Sequence, residues 1–239
     1  MKYKYYIKVL LIFINIIFLY SFSESTSNSK SIKSLKINFI GENNLFISKE
    51  NIDKLLIQND KYIECIKKDI IDLKEIENKL LSNDMIEDAE VYLKIDGKLI
   101  INLTQRKPIA RVISSPSYYI DSKAKKMPLS KEHSARVILI HGLKNDSSLS
   151  DVYKMIDNIN KDEFLRLHVT DIIVDDELNF NFLVRDVNCE IQVGNLIDLN
   201  KKMRNIKAFY LNAKQKKILK NYKTVNLQFN NQVVCTKKI

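Results

Sequence analysis

The stretch from Asn83 to Arg111 constrains the fold more than any other. Val91, Leu93 and Ile95 alternate with Tyr92, Lys94 and Asp96, the two-residue period of a half-buried strand. Leu99, Ile101 and Leu103 resume the alternation beyond Asp96-Gly97, a strong hairpin signal. A two-residue turn would set Ile95 opposite Lys98 and mix the two faces. A three-residue connection, Asp96 to Lys98, sets Ile95 opposite Leu99, Leu93 opposite Ile101 and Val91 opposite Leu103. A one-residue slip turns every side chain to the wrong face, so the sequence predicts the longer connection, with a bulge near Gly97. Pro108 follows; it removes a ladder donor and requires a break or an edge. One small domain closes there and another begins.

Upstream, Leu35, Ile37 and Phe39 alternate in a first strand that ends at Gly41. Ser48 is a helix N-cap followed by an apolar stripe of Ile52, Leu55 and Leu56. Tyr62 to Ile71 is ambiguous. Asp72 and Glu75 have the spacing of a capping box, and Leu73, Ile76, Leu80 and Leu81 follow at helical spacing. The order is strand, helix, helix, strand, strand, which lets two helices bury their stripes on one face of a three-stranded sheet.

The second half is rich in strands. Ile109 to Ile113, Tyr118 to Ile120, Met127 to Leu129, Ala135 to Ile140, Leu165 to Val169, Asp171 to Val174, Asn179 to Val184 and Glu190 to Val193 read as strands. Asp151 to Ile159 reads as a helix with Val152, Met155, Ile156 and Ile159 on one face. Asp198 is a candidate cap for a basic amphipathic helix reaching about Ala213. Tyr222 to Cys235 is the last strand pair or a single bent strand. The fold class is α+β, with the later domain mostly antiparallel.

The net charge of +10 admits a nucleic-acid or anionic-lipid surface, or a compositional bias toward Lys, Ile and Asn. The lysines are interleaved with acids, and no RNA-binding aromatic motif or zinc-finger spacing accompanies them. Cys65, Cys189 and Cys235 are odd in number and lack CxxC spacing, so they read as free thiols, with a Cys189–Cys235 pair left open if the chain is exported.

Lys2, Lys4 and Lys8 precede an apolar run, Val9 to Tyr20. As a helix, Ile7 to Phe22 spans roughly 24 Å, short of a hydrocarbon core of about 30 Å. The segment is either a short membrane anchor or a signal peptide cut near Ser21-Phe22-Ser23. In both cases the basic flank keeps the N-terminus cytoplasmic and sends the remainder across the membrane. Glu24 to Ser34 is a Ser-rich spacer.

No constellation points to catalysis. His133, His141 and His168 are scattered, with His141 beside Gly142 at a turn. Ser114, Ser115, Ser117, Ser147 and Ser148 lie in polar loops without a nucleophile elbow. Gly41, Gly97, Gly142 and Gly194 each fit a turn or strand end rather than a phosphate loop. Asp171 stands near Asp175-Asp176-Glu177, which reads as a hairpin tip. The sequence implies no enzyme, metal or cofactor.

Several strings resemble the FtsQ/DivIB family of bacterial cell-division proteins. They are Phe39-Ile40-Gly41 with Leu45-Phe46-Ile47-Ser48, then Leu80-Leu81-Ser82-Asn83 and Ile86-Glu87-Asp88-Ala89-Glu90-Val91-Tyr92. Gln105-Arg106-Lys107-Pro108-Ile109-Ala110 resembles the family's domain junction. Tyr119-Ile120-Asp121, Met127-Pro128-Leu129-Ser130 and Ser134-Ala135-Arg136-Val137 look most like the Bacteroidetes version, and Tyr222 to Cys235 is similar to the closing strand. Asn83-Asp84 departs from the family's Asn-Pro. The resemblance implies a cytoplasmic tail (residues 1–8), a transmembrane anchor (9–23), a linker (24–34), a POTRA domain (35–106) and a C-terminal β domain (107–239). It implies a non-catalytic scaffold at the division septum, with the bulk of the chain in the periplasm. A POTRA protein of outer-membrane assembly or secretion is the alternative.

The final strand carries the binding expectation. Nothing later in the chain can cover one of its edges, so it is either blunted by polar residues or accepts a partner strand. Val225, Leu227 and Phe229 alternate with Asn226, Gln228 and Asn230. The resemblance favours a partner, since that region of relatives binds FtsB, in the FtsB/FtsL pair. The candidate contacts are Lys223, Val225, Gln228, Asn230, Val233, Val234 and Cys235. The basic helix face with Lys201, Lys202, Arg204 and Lys207 is a second candidate, or a solvated surface.

Overall fold

A computed structural model of the chain describes residues 2–28, 32–41, 44–57, 70–185, 187–229 and 232–238. The chain divides into two units, residues 1–105 and 106–239. The first begins with helix α1 (Lys2–Asn28). Its described side chains, including all of Tyr6 to Ser21, are exposed. Among the described residues no helix is long and apolar enough to cross a membrane.

The unit continues with β1 (Ser34–Ile40), α2 (Lys49–Leu56), α3 (Leu73–Leu81), β2 (Ile86–Leu93) and β3 (Lys98–Gln105). β3 is central, parallel to β1 and antiparallel to β2. Both helices start at caps visible in the sequence. Ser48 Oγ accepts from Asn51 N, and an Asp72 carboxylate oxygen accepts from Lys74 N and Glu75 N. Ile52 and Leu56 of α2 and Ile76 and Leu80 of α3 join Ala89, Val91, Leu99, Ile101 and Leu103 in one buried cluster. Most of Tyr62–Ile71, with Cys65, lies outside the described residues.

The hairpin has a three-residue connection, but it is Ile95–Gly97 rather than Asp96–Lys98. Leu93 faces Leu99, Val91 faces Ile101 and Ala89 faces Leu103. Lys94 N bonds Lys98 O and Gly97 N bonds Lys94 O, both at 2.9 Å, with Gly97 at φ 91°. That closure needs a positive φ at the last loop position, which glycine adopts without strain. The slip is two residues, so the faces are preserved. Ile95 is the residue displaced into solvent, at 101% exposure.

In the second unit the strands are β4 (Pro108–Val112), β5 (Tyr118–Asp121), β6 (Lys126–Pro128), β7 (Ile138–His141), β8 (Val169–Val174), β9 (Phe180–Val184), β10 (Val187–Gly194), β11 (Tyr222–Asn226) and β12 (Val234–Lys237). They form one nine-stranded sheet ordered β12-β11-β10-β9-β8-β7-β4-β5-β6. The pairs β4–β7, β7–β8 and β10–β11 are parallel, and the other five are antiparallel. Parallel neighbours need long crossovers. Helices α4 (Leu149–Lys161) and α5 (Glu163–His168) carry the chain from β7 to β8, and α6 (Leu199–Gln215) carries it from β10 to β11.

All three helices bury residues in the same cluster as Val112, Ile140, Ile172, Phe182, Ile191 and Val225, which lie in one register row across the sheet. Val152, Met155, Ile156 and Ile159 of α4 are fully buried. Four such side chains contribute on the order of 6–12 kcal/mol, before conformational entropy is subtracted. The neighbouring row, Arg111, Leu139, Asp171, Leu183, Glu190 and Thr224, turns to the opposite face and is half-buried.

Three local expectations change, and at Pro108 one of two alternatives is taken. Most of the predicted strand Leu165–Val169 is helix α5, because Asp162 Oδ1 accepts from Leu165 N and starts a helical turn that the short apolar pattern conceals. Ala135–Val137 precedes β7 without strand pairing, and Ala135 N donates to Tyr119 Oη. Asp198 precedes α6 in a left-handed conformation, φ 54°, and makes no side-chain cap. Pro108 opens β4, which is interior, so it marks a break and not an edge.

A buried ion pair fixes the start of this unit. Asp121 is fully buried; its Oδ2 accepts from Arg106 Nη1 at 2.9 Å, and its Oδ1 accepts from Lys123 N at 2.9 Å and Lys125 N at 2.7 Å. Removing one partner of a buried pair strands the other charge. Asp121→Ala is therefore expected to lower the unfolding free energy by about 3 kcal/mol or more, measured by urea denaturation of the full chain.

Candidate functional site

The end of the sheet formed by β10, β11 and β12 holds the described candidates. β11 runs parallel to β10, with Ile191 facing Val225, and antiparallel to β12, with Val225 facing Cys235. Thus Tyr222–Asn226 is covered on both sides, and among the described residues no strand pairs with the outer side of β12. Of the two alternatives for Tyr222 to Cys235, the strand pair is the one formed: the chain turns back, and only its last four paired residues lie outside.

The candidates separate by position. Val225 is fully buried, so its side chain belongs to the core and not to a contact surface. Lys223 is exposed at a bulge, where the register jumps between Tyr222 and Thr224. Gln228 N donates to Asn226 Oδ1 at 2.8 Å, and the Gln228 side chain lies over Gly194. A Cβ at Gly194 would meet Gln228 Cγ at 2.8 Å, so glycine makes room for that side chain there. Phe229, expected to follow Leu227 into the core, is instead exposed, because the last bond to β10 is made by Leu227 N and the alternation stops after it. Asn230 lies outside the described residues. Val233 and Cys235 pack partly against the core, while Val234 is exposed.

Main-chain direction follows from one bond. Lys238 N donates to Asn221 O at 2.8 Å, so Lys238 points inward. Antiparallel alternation then turns Thr236 and Val234 toward β11 and leaves the N–H and C=O of Lys237 and Cys235 facing outward. Sequence reasoning stopped at Cys235 and missed Thr236 and Lys237. The β-branched Val233, Val234 and Thr236 around Cys235 were the available signal.

The opposite edge is different. β6 has three residues and ends in Pro128, which has no N–H to offer. Of the two edges of this sheet, β12 is the one not blunted by proline.

The basic face of α6 is partly committed. Lys207 Nζ pairs with Asp162 Oδ2 at 3.0 Å, and Lys202 Nζ donates to Asn195 O at 2.8 Å. Burial holds the Lys202 pKa below the usual lysine range, against the opposing pull of Asp198. The acids near Asp171 are likewise occupied. The Asp175 carboxylate accepts from Asn179 Nδ2, Asn179 N and Glu177 N, which keeps its pKa low and builds the β8–β9 turn. Asp176 pairs with Lys144, and Asp171 Oδ1 lies 2.9 Å from His141 Nε2. His168 Nδ1 lies 2.8 Å from Phe164 O and its ring stacks on Phe164. Among the described residues no group of three His, Cys, Asp or Glu could hold a metal ion.

Cys189 and Cys235 are free thiols. β11 stands between their strands and Cys235 lies in the row of Ile191, two residues along from Cys189, so their Cα atoms are more than two strand spacings, roughly 10 Å, apart. That exceeds the span of about 7 Å that a disulfide tolerates.

Residues 107–236 match the model of a family described as FtsQ/DivIB, C-terminal related. Residues 32–104 match that of a POTRA-like domain. No curated protein matches the chain.

Burial pushes the Cys189 thiol up from 9.0 to about 11, with the nearby Cys235 adding to it. The unfolded thiol therefore ionises first as pH rises. Its contribution to stability is whole below pH 9.0 and is lost as pH climbs toward about 11. Urea unfolding in reducing buffer is expected to show a declining midpoint across that window, and Cys189→Ala to flatten the decline.

Proposed function

The chain belongs to the FtsQ/DivIB family, whose model spans more than half of it, and on that premise we propose a non-catalytic scaffold of the bacterial division machinery. It is tethered to the inner membrane by α1, with the N-terminus cytoplasmic and both folded units on the periplasmic side, and it acts at the septum. The partner is a chain of the FtsB/FtsL type, which adds a strand to β12.

The observation that carries this reading is the open β12 edge. A partner strand would satisfy the outward groups of Cys235 and Lys237, and those bonds would set its register. Exposed Val234 and Phe229 would add apolar contact, and Lys223 and Lys237 would favour an acidic flank. The tether rests on α1, whose apolar side chains are exposed all round its axis between Tyr6 and Ser21. That stretch is shorter than a hydrocarbon core, a mismatch met by local thinning of the bilayer and by Lys8 reaching the headgroups.

Proline substitution tests strand addition. Cys235→Pro and Lys237→Pro each remove an outward N–H and no bond to β11, so the fold should survive. Binding of a purified FtsB-like chain from the same organism, followed by calorimetry, is expected to weaken at least about tenfold in both. A tagged wild-type protein is expected to concentrate at the septum, and the two variants to lose the partner there. Unchanged affinity in both variants would exclude β12 as the docking edge.

A further inference from the structure

We propose that a groove at the other end of the second unit's strands, lined by Arg136, Arg166 and Arg185, binds an acidic polypeptide segment. The groove, of about 790 Å3, lies where the starts of β4, β7 and β8 and the residue after β9 meet the α4–α5 turn. β8 is four strands from β12 in the sheet, so the proposal does not rest on strand addition.

The three guanidinium groups are exposed and make no ion pair or side-chain hydrogen bond among the described residues. Arg106, Lys144, Lys154, Lys161 and Lys207 of the same unit hold carboxylates, whereas these three arginines leave their charge to the groove. The one carboxylate lining the groove, Asp171, is already engaged by His141 at 2.9 Å. The groove thus gathers three guanidinium groups against the single carboxylate of Asp171.

Residue choice adds a second argument. The chain has 33 lysines and six arginines, and three of those six line this groove. A compositional preference for lysine does not explain arginine concentrated at one place. Arginine differs from lysine in its planar fork, which takes a carboxylate through two parallel hydrogen bonds. Half-buried Ile109, Val137 and Leu139 line the same groove and suit apolar side chains. A bare phosphate would use the charges and leave the apolar walls unserved. A peptide carrying both carboxylate and apolar side chains fits both.

The test uses the full chain in detergent micelles and a fluorescein-labelled peptide of alternating Glu and Leu, read by anisotropy. The triple variant R136E/R166E/R185E is expected to weaken binding at least about tenfold. R136K/R166K/R185K keeps the charge but loses the fork, and is expected to weaken it by a smaller, measurable factor. The Cys235→Pro variant is expected to bind this peptide as the wild type does, which separates failure here from failure of the strand-addition reading. Circular dichroism melting should be unchanged in both triple variants, since the substituted side chains are exposed. Wild-type affinity in either triple variant overturns the proposal. So does displacement of the peptide by inorganic phosphate or phosphatidylglycerol vesicles at equal charge, which would assign the groove to phosphate chemistry.

Discussion

The second unit depends on the carboxylate of Asp121. It is fully buried and holds one charged and two main-chain donors. Burying a carboxylate costs several kcal/mol unless its lone pairs are filled. Here they are filled from two directions, by Arg106 at the entry to β4 and by the turn that joins β5 to β6. The interaction therefore fixes where β4 begins and how β5 turns against β6. β4 in turn pairs with both β5 and β7, so a fault at Asp121 would pass into the ladder from which the remaining strands are laid down. The residue just before Arg106 serves the other unit. Gln105 is buried, accepts from Phe46 N and donates to Ile47 O, each at 3.0 Å. Two adjacent side chains, Gln105 and Arg106, thus bind each unit's own backbone or carboxylate at the point where the chain passes between them.

What could be read from the sequence was periodic, and what escaped was terminal or three-dimensional. The hairpin's parity was legible because a one-residue slip inverts a face. Its exact register was not, because a two-residue slip keeps the faces and only exposes Ile95. The α4 stripe was legible at every position, from Val152 to Ile159. α5 was not, since six residues are too few to separate a helical from a strand period, and a single Asp162 cap decides the matter. At the edge, Val225 and Leu227 alternate correctly into the core, but Phe229 breaks the rule once pairing stops. The α1 segment announces its chemistry in the sequence, an apolar run behind three lysines. The Arg136, Arg166 and Arg185 groove has no linear signature, because its members are 30 and 19 residues apart along the chain. The crossover through α4 and α5 brings Arg136 to Arg166, and the antiparallel return of β9 along β8 sets Arg185 beside them.

The size of β12 limits what it can do alone. Four residues present two with outward main-chain groups, which allows at most four hydrogen bonds to an added strand. At about 0.5–1.5 kcal/mol net each, these yield roughly 2–6 kcal/mol. Association itself costs about 4–15 kcal/mol in lost translational and rotational freedom. Across most of these ranges the cost exceeds the gain, so main-chain pairing at β12 alone gives at best weak association with a partner or with a second copy of this chain. Affinity has to come from side chains beside the edge. Val234 and Phe229 supply exposed apolar surface next to the strand, and Lys223 and Lys237 supply charge of one sign. A partner that matches both would be selected, while a chain that offers only a bare strand would fall away. Backbone pairing then serves as the register gauge of the interface, and specificity rests with the few side chains that flank it.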